Sequence, residues 1–143
     1  MTARAAEGPP NRQRIYHITT AAELRAHCAG DWYAPPSLAR AGFVLCTATR
    51  STLLAVARDY YDDATPPLLV LAIDPTRLAA ALRFEAPAPS AGGGTAHLAS
   101  GELFPHLYGP LEFSAVVGVG ELRRTGSEFV WPGAFDALES WLG

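Results

Sequence analysis

The residues best equipped for chemistry stand in the octapeptide Phe104-Pro105-His106-Leu107-Tyr108-Gly109-Pro110-Leu111, where an imidazole, a phenol and a glycine lie between two prolines. Histidine is the side chain whose ordinary pKa lies nearest neutrality, and a phenol both donates and accepts hydrogen bonds. Prolines fix φ and remove backbone donors, so the spacing predicts a stiff turn that presents His106 and Tyr108. On that turn His106 serves as an acid–base group, and Tyr108 orients it or hydrogen-bonds a developing oxyanion. The plain alternative is a rigid hairpin in which both side chains bond nearby carbonyls.

Glu85 is the carboxylate in a strand-like setting close to this turn. An apolar wall would raise its pKa and fit it for proton transfer, whereas Arg83 on the same face favours the anion. A surface ion pair between the two is the structural alternative. His17 shares one face of an early β-prone segment with Thr19, where it either meets a ligand or stands as a satisfied, half-buried histidine. Cys46 becomes a nucleophile only beside a base such as His106. Its neighbours Phe43, Val44 and Leu45 fit a small buried thiol better. Thr47 offers a hydroxyl to a ligand. The expected set is therefore His106, Tyr108 and Glu85 for catalysis, with His17, Thr19, Cys46, Thr47 and Arg83 for substrate contact. His97 reads as solvated, and His27 suits a helix end as a cation. No histidine has a second ligand at metal-binding spacing, so no metal is expected.

Several elements must position these groups. Ile15–Thr19 reads as a strand, and Thr20-Ala21-Ala22-Glu23 as a capping box opening a helix to about Cys28, with Gly30 as its stop. Trp32–Pro36 reads as an irregular connection, followed by a short turn from Ser37 to Arg40. Gly42–Thr47 is expected to be a strand. From Ser51 to Tyr61, Leu53, Val56, Ala57, Tyr60 and Tyr61 form an apolar stripe at helical spacing. Leu68–Ile73 is an unbroken apolar run, the mark of a strand buried on both faces. Asp74-Pro75 predicts a capped short helix over Leu78 and Leu82. Strands are expected at Arg83–Glu85, Phe113–Val119 and Glu128–Trp131, about six in all. The segment 86–101, with Gly92-Gly93-Gly94, reads as a lid or a disordered loop before the His-Tyr turn. An amphipathic helix over about 134–142 either docks on the sheet or meets a second copy in a homodimer.

Composition sets the frame. The 143 residues are 49% hydrophobic and 17% charged, which predicts one globular domain over 15–143 behind a flexible tail, 1–14. The net charge is −3, and all 11 basic residues are scattered arginines, giving no electrostatic case for nucleic acid or an anionic membrane. Two cysteines without CxxC spacing fit a reduced cytoplasmic protein, and no apolar run reaches membrane-spanning length.

Four segments in order, Ile15-Tyr16-His17-Ile18, Gly42-Phe43-Val44-Leu45-Cys46-Thr47, Arg83-Phe84-Glu85 and Phe104–Leu111, resemble the DUF952 family, and the resemblance spans roughly Ile15 to Leu122. It implies an α+β domain similar in fold to ADP-ribosyltransferases, a split, mostly antiparallel sheet with short helices and a cleft between its halves. It also implies a polar residue on an early strand, here His17, near a nicotinamide–ribose. The family's segment carries His and Ser where this chain has Leu45 and Thr47, so a polar group is absent at position 45.

The expected function is a small cytoplasmic enzyme that uses His/Tyr acid–base chemistry on a small molecule in a cleft, without a cofactor. Rearrangement, cyclisation, elimination and hydrolysis all fit these groups. The alternatives are an NAD-dependent ADP-ribosyltransferase or NAD glycohydrolase, and a non-catalytic small-molecule-binding or interaction domain.

Overall fold

The computed structural model describes residues 13–86 and 103–142. β1 (Ile15–Thr20) runs straight into α1 (Ala21–Ala26), because Thr20 turns from strand to cap. Its Oγ1 accepts the Glu23 N–H at 3.0 Å, satisfying one of the free donors of the first turn. The helix stops at His27, where β2 (Cys28–Ala29) and β3 (Trp32–Tyr33) form a hairpin around Gly30 at φ +58°. The connection expected at Trp32 is thus partly a strand. α2 (Pro36–Ala41) starts on a proline and ends on Gly42 in the left-handed region.

β4 is only Val44–Leu45, much shorter than the expected Gly42–Thr47 strand. α3 (Arg50–Tyr60) is capped by Thr49 and buries Leu53, Val56 and Ala57, the stripe legible in its spacing. β5 (Leu68–Ile73) is buried at every residue. Asp74 caps a single 3-10 turn, Pro75–Arg77, and Leu82 belongs instead to the strand β6 (Ala81–Glu85).

The stiff turn expected around His106 is a strand, β7 (Phe104–Tyr108), lying between β4 and β6. Pro105 accepts the Cys46 N–H at 2.9 Å but has no N–H to return, so the ladder with β4 ends there. β8 (Leu111–Glu112) leads into a 3-10 turn, Phe113–Ala115. The strand expected from Phe113 therefore begins later, as β9 (Val116–Glu121). β10 (Arg123–Thr125) and β11 (Glu128–Val130) make a hairpin. α4 is confined to Glu139–Leu142, because two 2.8 Å backbone bonds hold Asp136 against Val119 and keep the preceding residues extended.

The described residues make three three-stranded antiparallel sheets, β1-β5-β9, β4-β7-β6 and β2-β3-β8, plus the last hairpin. α3 packs Leu53, Val56 and Ala57 against Ile18 and Val70 on one face of the β5 sheet. Tyr33, Leu69, Leu71, Leu107 and Leu111 fill its other face. The protein is α+β, with mostly antiparallel sheets and few short helices. Among the described residues no helix is long and apolar enough to cross a membrane.

The first two sheets touch at one bridge, Tyr16 to Thr47, closed by two 2.8 Å backbone hydrogen bonds. Beyond it β1 follows β5 and β4 follows β7. The next residue along β1 from that divergence is His17.

Candidate functional site

Where the sheets part, the Leu45 carbonyl has no strand partner on β1, and the imidazole of His17 supplies one. Nδ1 lies 2.8 Å from Leu45 O. A carbonyl only accepts, so Nδ1 carries the proton and Nε2 is left with its lone pair. His17 is 5% exposed, and burial lowers its pKa from 6.5 by more than the Leu45 hydrogen bond raises it. The ring is therefore a neutral base of fixed tautomer at physiological pH.

His17 lines an open groove of about 360 Å³ with Glu23 from α1, Ser37 and Arg40 from α2, Leu45 from β4, and Tyr60 and Tyr61 at the end of α3. Burial pushes the Tyr61 phenol up to about 12, with Glu23 adding to the rise and Arg40 opposing it. Tyr61 thus stays a neutral hydroxyl. Neither the Glu23 carboxylate nor the Arg40 guanidinium has an ion-pair or hydrogen-bond partner among the described residues. One base, one cation, one anion and several hydroxyls therefore border a hollow of metabolite size.

The octapeptide residues form a second centre on one face of the β4-β7-β6 sheet. The register places Arg83 opposite His106 and Glu85 opposite Phe104, so all four share that face with Tyr108. Glu85 Oε1 accepts from His106 Nδ1 at 2.9 Å and from the Tyr108 hydroxyl. These bonds, the Tyr108 one foremost, hold the Glu85 carboxyl below its ordinary value, and the same bond raises Tyr108. Glu85 is thus a fixed anion, contrary to the raised pKa that would suit a proton donor. Phe43 stacks on the His106 ring at 3.9 Å and 15°, and the Arg83 guanidinium lies 5.5 Å from the Tyr108 ring centre. His106 is 2% exposed, and its buried Nε2 has no partner among the described residues.

The groove at His17 includes none of His106, Tyr108, Glu85 and Arg83. Leu45 joins the two centres, its carbonyl on His17 and its backbone in register with His106. Thr19 and Cys46 are fully buried, so neither meets a ligand in this state. The Thr19 hydroxyl is committed to the Tyr33 hydroxyl at 2.7 Å, and burial pushes the Cys46 thiol up to about 12, which removes the nucleophilic thiolate at neutral pH. Thr47 is buried with its Oγ1 unpartnered among the described residues. His97 and the Gly92–Gly94 lid lie outside the described residues. No group of three or more His, Cys, Asp or Glu among the described residues is placed to hold a metal.

Sequence reasoning placed Ser37 and Arg40 in a turn and Phe43 beside a buried thiol, and took Glu23 for a capping residue and Tyr60 and Tyr61 for an apolar stripe. Only their meeting in space marks them, and no spacing announces it.

Fold and sites together define a small α+β domain whose parted antiparallel sheets carry a histidine-bearing groove. The chain belongs to the DUF952 family, described as a protein of unknown function, whose model matches residues 18–119. It is similar in fold to protein CC0527 from Caulobacter crescentus. The crystal structure of CC0527 aligns with a TM-score of 0.63 at 24% identity, covering 81% of this chain and 91% of that one. Its solution NMR structure aligns with a TM-score of 0.57 at 25% identity, covering 81% and 90%. Comparison with curated proteins finds no match.

Proposed function

We propose that the protein is a small enzyme that carries out acid–base chemistry on a small molecule held in the His17 groove. The observation that carries this reading is the His17–Leu45 contact at 2.8 Å, which pins the proton on Nδ1 of a neutral ring lining the groove. A base of fixed tautomer beside a cation and neutral hydroxyls meets the needs of proton abstraction followed by rearrangement, cyclisation, elimination or hydrolysis. Arg40 would hold the substrate, and the Tyr61 hydroxyl would stay protonated throughout. The Glu85–His106–Tyr108 centre, joined through Leu45, braces the strand that orients His17.

The test is an untargeted mass-spectrometric screen of a metabolite extract with the wild-type protein and His17→Gln. Glutamine can still donate to Leu45 O but cannot take a proton, so turnover should fall by about 10²–10⁴-fold. Equal consumption of the same metabolite by the variant would defeat the reading. Loss in His106→Ala alone would move the chemistry to the Glu85 centre. Binding without product would leave a non-catalytic ligand-binding domain.

A second reading is an ADP-ribosyltransferase-like domain that uses NAD. It is favoured by the position of His17, on the first strand where two antiparallel sheets part. That chemistry needs a carboxylate to hold a ribose hydroxyl, and the groove offers Glu23 rather than the expected Glu85. Calorimetric titration with NAD and an assay for released nicotinamide test it; neither heat nor nicotinamide would dismiss it.

A further inference from the structure

We propose that the groove is selective for a small zwitterion, a molecule carrying a carboxylate and an ammonium a few atoms apart, with the free α-amino acids as the closest chemical class. This rests on the reading that the groove holds the substrate, and it names what the groove selects.

Two exposed side chains of opposite charge, neither with an ion-pair partner among the described residues, border the groove. Glu23 stands in the first turn of α1 and Arg40 in the last turn of α2, and both line the groove. α1 packs against β1 and α2 against β4, and no ion pair joins the two side chains within 4.0 Å. Both nonetheless act on the same phenol, Tyr61, with opposite signs, and Tyr61 lines the groove with them. An anion and a cation that line one groove without pairing with each other form a dipolar slot. A ligand with a single negative charge gains at Arg40 but is repelled by Glu23, and a single positive charge meets the reverse. A zwitterion satisfies both and brings no net charge into the groove. Arginine's planar fork suits a carboxylate in particular. The neutral His17 ring adds no charge to disturb this balance.

The slot also bears on the chemistry. A carboxylate on Arg40 and an ammonium on Glu23 place the α-carbon between them, in the hollow that the His17 ring lines.

The experiment uses the full chain, labelled with 15N, and titrates each of the protein amino acids in turn. Every amino acid that binds is measured again as its amide, which lacks the carboxylate, and as its N-acetyl form, which lacks the ammonium. The expected result is that at least one free amino acid shifts the signals of Glu23, Ser37, Arg40 and His17. Both capped forms should weaken by about tenfold or more, the loss of one charge-assisted hydrogen bond. Arg40→Gln and Glu23→Gln, both at exposed positions, should each weaken the free form similarly. No shift with any amino acid, or equal binding of the capped forms, overturns the proposal. The acid–base reading would survive that result if the metabolite screen finds a His17-dependent substrate of another charge type, and full activity of His17→Gln would defeat the acid–base reading while amino-acid binding still stood.

Discussion

The Leu45 carbonyl fixes the tautomer of His17 and burial fixes its charge, and the consequence reaches stability as well as chemistry. Burial depresses the His17 pKa from 6.5, so the unfolded chain takes up a proton before the folded chain does. Stability is therefore complete above about pH 6.5 and falls as the pH drops below it, by at most about 1.4 kcal/mol per pH unit. Urea unfolding across that range should show the slope in wild type and a flatter one in His17→Gln. An equal slope in both would show that the ring does not titrate differently on folding. Glu85 acts lower on the scale: its carboxyl is held below 4.5, so its contribution is present above that value and fades as acid protonates it. The Tyr108 hydroxyl is the first cause of that depression, and Tyr108→Phe removes it while leaving the His106 bond. The Glu85 pKa should rise toward 4.5 in a 13C carboxyl titration, and no movement would show that the phenol does not hold the carboxylate.

Between strands and helices, close approach does what local propensity cannot. A β-carbon on Gly120 of β9 would lie 2.6 Å from Pro132 Cβ and 3.1 Å from the Ala134 carbonyl. Gly120→Ala must push the segment before α4 off the sheet, at a cost of about 1–3 kcal/mol. Thr20→Ala, which only frees one amide at the start of α1, should cost about 1 kcal/mol. Paired urea curves settle the ranking, and a Gly120→Ala curve that overlays wild type would contradict the packing. The same contrast explains what could be read beforehand. The Thr20 cap, the α3 stripe and the β5 run are written in neighbouring residues and were legible. β7 was not: Pro105 within it and Pro110 just after it give a turn signal, and the strands that hold it, β4 and β6, come from elsewhere in the chain. Glu85, His106 and Tyr108 were legible as residue types near the octapeptide, whereas their meeting on one face comes from the β6–β7 register. The groove was hidden because Glu23, Arg40 and Tyr61 come from three helices whose meeting no local pattern records.

Across the whole molecule β5 is the element on which everything else rests, paired on both edges and covered on both faces. The two cysteines make its opening measurable. Cys28 is half-buried in the β2–β3 hairpin, whereas Cys46 lies fully buried just past β4, its amide bonded to Pro105 O and its thiol pushed up to about 12. An electrophilic thiol reagent should label Cys28 in the folded protein and reach Cys46 only when the core opens. Leu71 lies in β5 opposite His17 at 0% exposure, and Leu71→Ala should cost about 2–5 kcal/mol. If labelling of Cys46 follows the open population, that substitution should speed it by about tenfold for each 1.4 kcal/mol lost, with Cys28 little changed. Mass spectrometry of the two cysteine peptides over time reads both rates at once. Labelling of Cys46 as fast as Cys28 in the wild-type protein would mean that the thiol is reachable without opening the core, and a Cys46 rate indifferent to Leu71→Ala would mean that the sheets part without disturbing β5.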